Sequence, residues 1–270
     1  MILKTEAIAL NIRPWSKTSH IVTWLTSEHG CVVTAVKGAC RPKSAFLGQY
    51  DLFYTCELLF YPREHNGVHA IRECTPLQRR DPLRENWRAA AAAAYLADLT
   101  ARATPGARQP QPHLFACLSE TLDNLARHPC NLADTVMRYE MRLLHFLGLL
   151  PDLTPCPECP PPRTEWLRFS LPAGRILCAH RPEAQPAEAV ISLHRAVQER
   201  FLALRDETLH APPISPPENK NDKKVNFSLG LSRFLGIFVF FHLEVPAVVR
   251  RVAMEMMDMT QTHCDASEES

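Results

Sequence analysis

The 270-residue sequence predicts an α+β protein of more than one domain: a five-stranded barrel at the N-terminus, then a mainly helical body carrying a Cys-x-x-Cys insertion. Three observations predict it. From Lys4 to about Glu73 apolar residues alternate or run in short β-branched and aromatic clusters, at Asp81-Pro82 the period turns helical, and Cys156-Pro157-Glu158-Cys159 then interrupts the helices.

The strands are expected around Ala7-Ile8-Ala9-Leu10, Ile21 to Leu25, Cys31 to Val36, Phe53 to Tyr61 and Val68 to Ile71. Turn signals separate them: Pro14 with Ser16, Glu28-His29-Gly30, Gly38 to Gly48, and Pro62 to Gly67. Five short strands with no long helical pattern between them suit a small closed barrel. The OB-fold is the commonest such case, and an SH3-like barrel is the alternative. Asp81 then reads as a helix N-cap with Pro82 at the first helical position, ahead of the helix formers Ala89 to Ala94. A second helix is expected from His113 to about His128. A third follows, with a stripe of Leu132, Val136, Tyr139, Leu143, Leu147 and Leu150. After Pro151 the chain reads as irregular to about Arg181, then helical from about Glu188 to His210, and again over Phe227 to His242 and Pro246 to Met259.

These elements divide the chain into an OB-fold domain (1–80), a first helical part (81–150), an insertion resembling a zinc knuckle (151–183) and a second helical part (184–260). The last contains a Pro-rich and then polar linker, 211–224, expected to be mobile, and residues 261–270 read as a disordered tail.

Composition narrows the function classes. With 46% hydrophobic and 22% charged residues the chain is an ordinary globular protein, and 10 cysteines are too sparse for a stapled secreted scaffold. The N-terminus lacks a signal-peptide apolar segment. The most apolar run, Phe234 to Phe241, is far short of the about 20 residues a membrane span needs and reads as a buried helix. No membrane partner and a cytoplasmic location are therefore expected. Residues 1–80 hold ten Lys or Arg against six acids, leaving twenty against twenty-three for the rest, so the basic surplus is N-terminal and points toward an anionic partner.

Two segments could carry chemistry. The loop Lys37-Gly38-Ala39-Cys40-Arg41-Pro42-Lys43-Ser44 places three cations beside a Gly and a Pro on a barrel connection. Lys37, Arg41 and Lys43 can neutralise phosphates there, with Arg13, Lys17 and His20 close to the preceding turn. Of the aromatics nearby (Trp15, Trp24, Phe46, Tyr50, Phe53 and Tyr54), only Trp15 and Tyr50 are expected to be partly exposed. The other segment is Cys156-x-x-Cys159 with Cys178-Ala179-His180 downstream. Its spacing lets three thiolates reach one structural zinc ion, with His180, His194 or water as the fourth ligand and His180 preferred. Nucleotide-binding glycine loops, H-E-x-x-H and G-x-S-x-G are absent from the sequence, and the pairs Glu140 with His145 and His194 with Glu199 read as surface or core groups, so no enzyme is expected.

The sequence resembles the RecO family of bacterial recombination mediators. The resemblance rests on Lys4-Thr5-Glu6-Ala7-Ile8-Ala9-Leu10, on Ser19 to Thr23 with Thr26-Ser27-Glu28-His29-Gly30, and most specifically on Val36-Lys37-Gly38-Ala39 with Arg41-Pro42-Lys43-Ser44. It extends through Ala89 to Leu96, Leu143 to Asp152 and the Cys-x-x-Cys pair. It implies a non-enzymatic protein with an N-terminal OB-fold that binds single- and double-stranded DNA and anneals complementary strands. It also implies work with RecR and the C-terminal tail of single-stranded-DNA-binding protein to load RecA in recombination and repair at the nucleoid. The chain departs from the family pattern at Cys40, where members commonly carry Arg, and at Arg181, where many complete a second Cys-x-x-Cys. An OB-fold RNA-binding factor with a zinc module is the alternative reading.

Overall fold

The computed structural model describes residues 1–63, 67–106, 109–160, 164–180, 189–210 and 225–258. The linker 211–224 and the tail 261–270 lie outside them. By packing, the chain forms two compact units, Met1–Val136 with Val252–Ser270, and Met137–Arg251. The change from strand to helix at residue 81 therefore falls inside the first unit.

That unit is built on a closed barrel of β1 (Leu3–Ser16), β2 (Ser19–Thr26), β3 (Gly30–Val36), β4 (Thr55–Tyr61) and β5 (Val68–Gln78), in the order β1-β2-β3-β5-β4. β3 and β5 pair in parallel while the other neighbours are antiparallel, which makes the barrel an OB-fold. Alternation explains the closure. Ala7, Ala9, Val22, Trp24, Val32, Val36, Cys56, Leu58 and Phe60 all point inward to one core, and the buried Trp24 indole N–H donates to Thr34 Oγ1 at 2.9 Å.

β1 is longer than the expected Ala7–Leu10. Its first half pairs with β4 and its second half with β2, and a register shift between Ala9 and Asn11 bends the strand from one partner to the next. Pro14 does not end it, because that part of β1 is paired only with β2 and a missing N–H is tolerated on an edge. β5 likewise continues past Ile71 to Gln78 along β4.

After the barrel come α1 (Pro82–Glu85), α2 (Trp87–Ala103) and α3 (Pro112–Arg127). Asp81 makes no side-chain cap. Asn86 is the cap instead, its side chain accepting from the Arg88 and Ala89 N–H groups at 3.1 Å each, so the helix breaks into one short turn and one long rod. Ala89, Ala92, Ala93 and Ala97 are buried where α2 packs on β1, their small side chains permitting close approach. Arg80 ties α3 to the barrel. Its buried guanidinium donates to Asp123 Oδ1 at 2.6 Å, the Phe53 carbonyl at 2.6 Å, Thr55 Oγ1 at 2.9 Å and Ser119 Oγ at 2.8 Å. Burial lowers its proton affinity, opposed by the Asp123 carboxylate.

α4 (Leu132–Phe146) leads into the second unit, which holds a small sheet of β6 (Trp166–Ser170), β7 (Arg175–Ile176) and β8 (Val190–His194), then α5 (Arg195–His210), α6 (Val225–Leu243) and the start of α7 (Ala247–Asp258), whose residues from Val252 on belong to the first unit. Two expectations are corrected here. The stretch after Pro151 is irregular except for β6 and β7, and the helix expected from Glu188 begins only at Arg195, because Val190-Ile191-Ser192-Leu193 pairs residue by residue with β6. Leu167, Phe169, Phe201, Phe234 and Phe238 form the core, Phe169 meeting Phe234 edge-on at 5.2 Å. Gly230 lets α6 approach α5, since a Cβ there would stand 2.9 Å from Val197 Cγ2. Glu140, fully buried, accepts two 2.7 Å bonds from Arg250. The Phe234–Phe241 run is not buried all round, because Ile237, Phe240 and Phe241 are exposed. Among the described residues no helix is long and apolar enough to cross a membrane.

Candidate nucleic-acid interface and metal centre

On one face of the barrel, β1, β2, β3 and β5 enclose a groove of about 620 Å³. Its floor is Ile21, Ala35, Val68, Ala70 and Ile71, and its rim carries Arg13, Lys37 and Arg63 with the aromatic rings of Trp15 and Phe46. Among the described residues no carboxylate lines it. Three strand ends and two connections converge here because β1 and β3 run out toward the same edge, so cations far apart in sequence share one surface. Trp15 is exposed, as expected.

The structure sorts the six sequence-predicted basic residues. Arg13 and Lys37 face the groove, while Lys17, Arg41 and Lys43 are exposed on the flanking turns and do not line it. Arg41 folds back over Gly38, whose positive φ of 71° leaves room for it: a Cβ there would sit 3.3 Å from Arg41 Cδ. The loop is tied down by Arg41 N–H to the Gly38 carbonyl and Cys40 N–H to the Thr18 carbonyl, each 3.1 Å. His20 is half-buried with both ring nitrogens engaged, Nδ1 2.7 Å from the Tyr50 hydroxyl and Nε2 3.2 Å from Cys40 Sγ. Tyr50 is partly exposed, but so are Phe46 and Phe53, contrary to expectation, whereas Trp24 and Tyr54 are core.

Arg63 is the groove residue that sequence reasoning missed. Its signal was available: it follows Pro62 in the β4–β5 connection, which in a five-stranded barrel of this order borders the same face as the β1–β2 turn. Its backbone N–H donates to His69 Nδ1 at 2.9 Å.

In the second unit the Sγ atoms of Cys156, Cys159 and Cys178 lie within 4.8 Å of one another, and His180 Nδ1 stands 3.1 Å from Cys159 Sγ. Zinc–sulfur bonds of about 2.3 Å imply thiolates roughly 3.8 Å apart in a tetrahedron, so the three thiols need little movement to close on one ion, while His180 stands beside Cys159 and outside that group of three. Hydrogen bonding with Cys178 pushes the Cys159 thiol up, with burial and Cys156 adding to it. His194 is engaged by other groups. Its Nε2 faces Glu165 at 3.3 Å, its Nδ1 accepts from the Ala196 N–H, and its ring stacks edge-on with Trp166 at 5.1 Å.

A closed OB barrel with a cation-rimmed, aromatic-walled groove defines an oligonucleotide-binding fold, here joined to a helical body with a thiol-rich knuckle. The comparisons narrow that class. Residues 1–80 match the family described as Recombination protein O N terminal, and residues 84–222 match Recombination protein O C terminal. The chain is 30% identical to the DNA repair protein RecO of Bacillus subtilis over 239 residues, 88% of this chain and 92% of that protein. It is also 30% identical to the RecO of Alkaliphilus metalliredigens over 179 residues, 66% of this chain and 71% of the relative. Identity to the RecO of Bifidobacterium adolescentis is 27% over 192 residues, 68% and 76% of the two chains. The chain belongs to the RecO family of DNA repair proteins.

Proposed function

We propose that the groove binds single-stranded DNA, with Arg13, Lys37 and Arg63 on phosphates and Trp15 and Phe46 under bases. Lys17, Arg41 and Lys43 extend the cationic surface toward a second strand or a duplex. The observation that carries this reading is the groove itself: three cations and two aromatic rings around an apolar floor. Annealing needs no bond-making step. It needs phosphate repulsion between strands lowered while base edges stay free to pair, which is the work of such a surface. In this reading the protein acts at the nucleoid in the cytoplasm and is no enzyme. With RecR, and with the C-terminal tail of single-stranded-DNA-binding protein held on the helical body, it loads RecA.

The knuckle is proposed to hold one structural zinc ion through Cys156, Cys159, Cys178 and His180. Zinc there supplies only a crosslink, since four protein ligands leave no open position for a substrate. The chain's own residues prepare it: Cys156 and Cys159 sit on one turn, closed by the Cys159 N–H to the Cys156 carbonyl at 3.3 Å, and Cys178 and His180 follow β7.

Strand annealing on DNA coated with single-stranded-DNA-binding protein, run with and without RecR, tests the functional reading. Annealing of DNA in preference to RNA, and RecA loading that requires RecR, are the expected results. Preference for RNA with no response to RecR would replace it by the RNA-factor reading.

A further inference from the structure

Beside the groove, three polar groups stand in line. Cys40 Sγ is exposed and 3.2 Å from His20 Nε2, and His20 Nδ1 is 2.7 Å from the Tyr50 hydroxyl. With the ring proton on Nδ1, the thiol donates to Nε2 and Nδ1–H donates to the phenol oxygen. The arrangement is a nucleophile, a base touching it, and a third group that orients the base. Both partners are fixed. Tyr50 packs 6.0 Å from the fully buried Trp24 ring, and burial, with Cys40, Cys74 and Asp51 adding, pushes its phenol up, so it stays neutral and keeps its oxygen available. The Cys40 backbone is held by Thr18 and by its neighbour Ala39, which is buried in the barrel core. Lys37, Arg41 and Lys43, exposed on the same loop, attract anionic reagents.

We propose that Cys40 is a thiol–disulfide exchange site for small, negatively charged disulfides, with His20 as its base and Tyr50 as a positioning residue. The Cys40 proton passes to His20 Nε2 as the sulfur attacks one sulfur of the disulfide. The reagent's S–S bond breaks, and its other half leaves with the electron pair as a thiolate, which takes up the proton. Cys40 ends as a mixed disulfide, and half of the reagent is reduced to a thiol. The adduct sets carboxylates on the loop that supplies Lys37 and Phe46 to the groove, so it weakens DNA binding. That consequence rests on the DNA reading above, whereas the exchange does not.

Three other thiols of the barrel differ from Cys40, whereas Cys159 in the knuckle also touches a histidine, His180. Cys56 and Cys74 are buried and donate to the Gln49 carbonyl, and Cys31 is half-buried, its thiol pushed up by burial.

The test treats the full-length protein with oxidised glutathione at neutral pH and follows each cysteine by mass spectrometry. Cys40 is expected to form adduct at least about tenfold faster than Cys31. His20→Gln should slow Cys40 about tenfold and Tyr50→Phe severalfold, both without changing the Cys31 rate. Should His20→Gln fail to fold, Tyr50→Phe alone decides. Equal rates for Cys40 and an unstructured peptide of the same loop sequence overturn the proposal, as does a Cys40 rate untouched by Tyr50→Phe. In the second arm, adducted protein should bind a single-stranded oligonucleotide about tenfold more weakly, with dithiothreitol restoring affinity and Cys40→Ser showing no response to glutathione. Unchanged affinity after full adduct formation overturns the link to DNA. Failure of the reduced protein to bind DNA overturns the groove reading while the exchange rates still stand or fall alone.

Discussion

The barrel groove and the cysteine knuckle are held in place by different means. Arg13, Lys37 and Arg63 come from three separate stretches of chain: Arg13 is paired within β1, and Lys37 and Arg63 follow the ends of β3 and β4, whose ladders close without regard to those side chains. Cys156, Cys159, Cys178 and His180 lie outside the strands; backbone bonds of Asp152 with Gly174 and Ile176 bring their two loops together, and the donor atoms meet beyond the last of those bonds. A site placed by backbone pairing survives loss of its functional side chains. A site placed by its ligand atoms depends on what they bind.

The sharpest separation comes from the metal. Cys159→Ser, or treatment with a strong chelator, should take zinc from about one ion per chain to none by elemental analysis and open the knuckle to protease. DNA affinity at the groove should stay within about twofold. A parallel loss of DNA binding would mean that the two regions are not independent.

Next in size is the barrel's own support. Arg80→Ala removes a buried guanidinium that bonds to Phe53, Thr55, Ser119 and Asp123, and should cost roughly 3 kcal/mol in denaturant unfolding. Zinc content should not change. If the loss is below about 1 kcal/mol, the barrel is held by its ladders alone and differs from the knuckle more sharply still.

Trp15→Ala should weaken single-stranded DNA binding by about 1–3 kcal/mol at fixed salt, since base stacking is lost, and leave the melting temperature near the parent's because the ring is exposed. Phe46→Ala should act in the same direction. The smallest effect is expected off the groove. Lys17→Gln should change single-stranded affinity by under about 1 kcal/mol, as its side chain lies on a turn and not on the rim. A Lys17 effect equal to that of Trp15 would shift the interface toward the β1–β2 turn.

The two regions also differed in how legible they were. The barrel showed in the sequence because inward and outward residues alternate on every strand, and Trp24 and Val36 fall inside as that period requires. Strand lengths were less visible: Pro14 reads as a turn, and only the pairing of β1 shows that an unpartnered edge tolerates it. The small sheet of the second unit was hidden because its strands are short, separated by turns, and followed without a break by a helix at Arg195. Spacing marked the three cysteines, but which histidine stands beside them shows only in space, His180 next to Cys159 and His194 facing Glu165 and Trp166. Arg63 escaped for the same reason. It is near Arg13 and Lys37 only after the barrel closes.

The central claim is that the groove meets a phosphate backbone through Arg13, Lys37 and Arg63. Its most direct test is the salt dependence of single-stranded DNA affinity for the parent and for Arg13→Gln/Lys37→Gln/Arg63→Gln, with thermal unfolding confirming an intact barrel. Each lost phosphate contact should shallow the slope of log K against log salt by about 0.7, so the triple variant should lose about 2 units of slope. A folded triple variant with the parent's slope would contradict the account and place the DNA elsewhere on the protein.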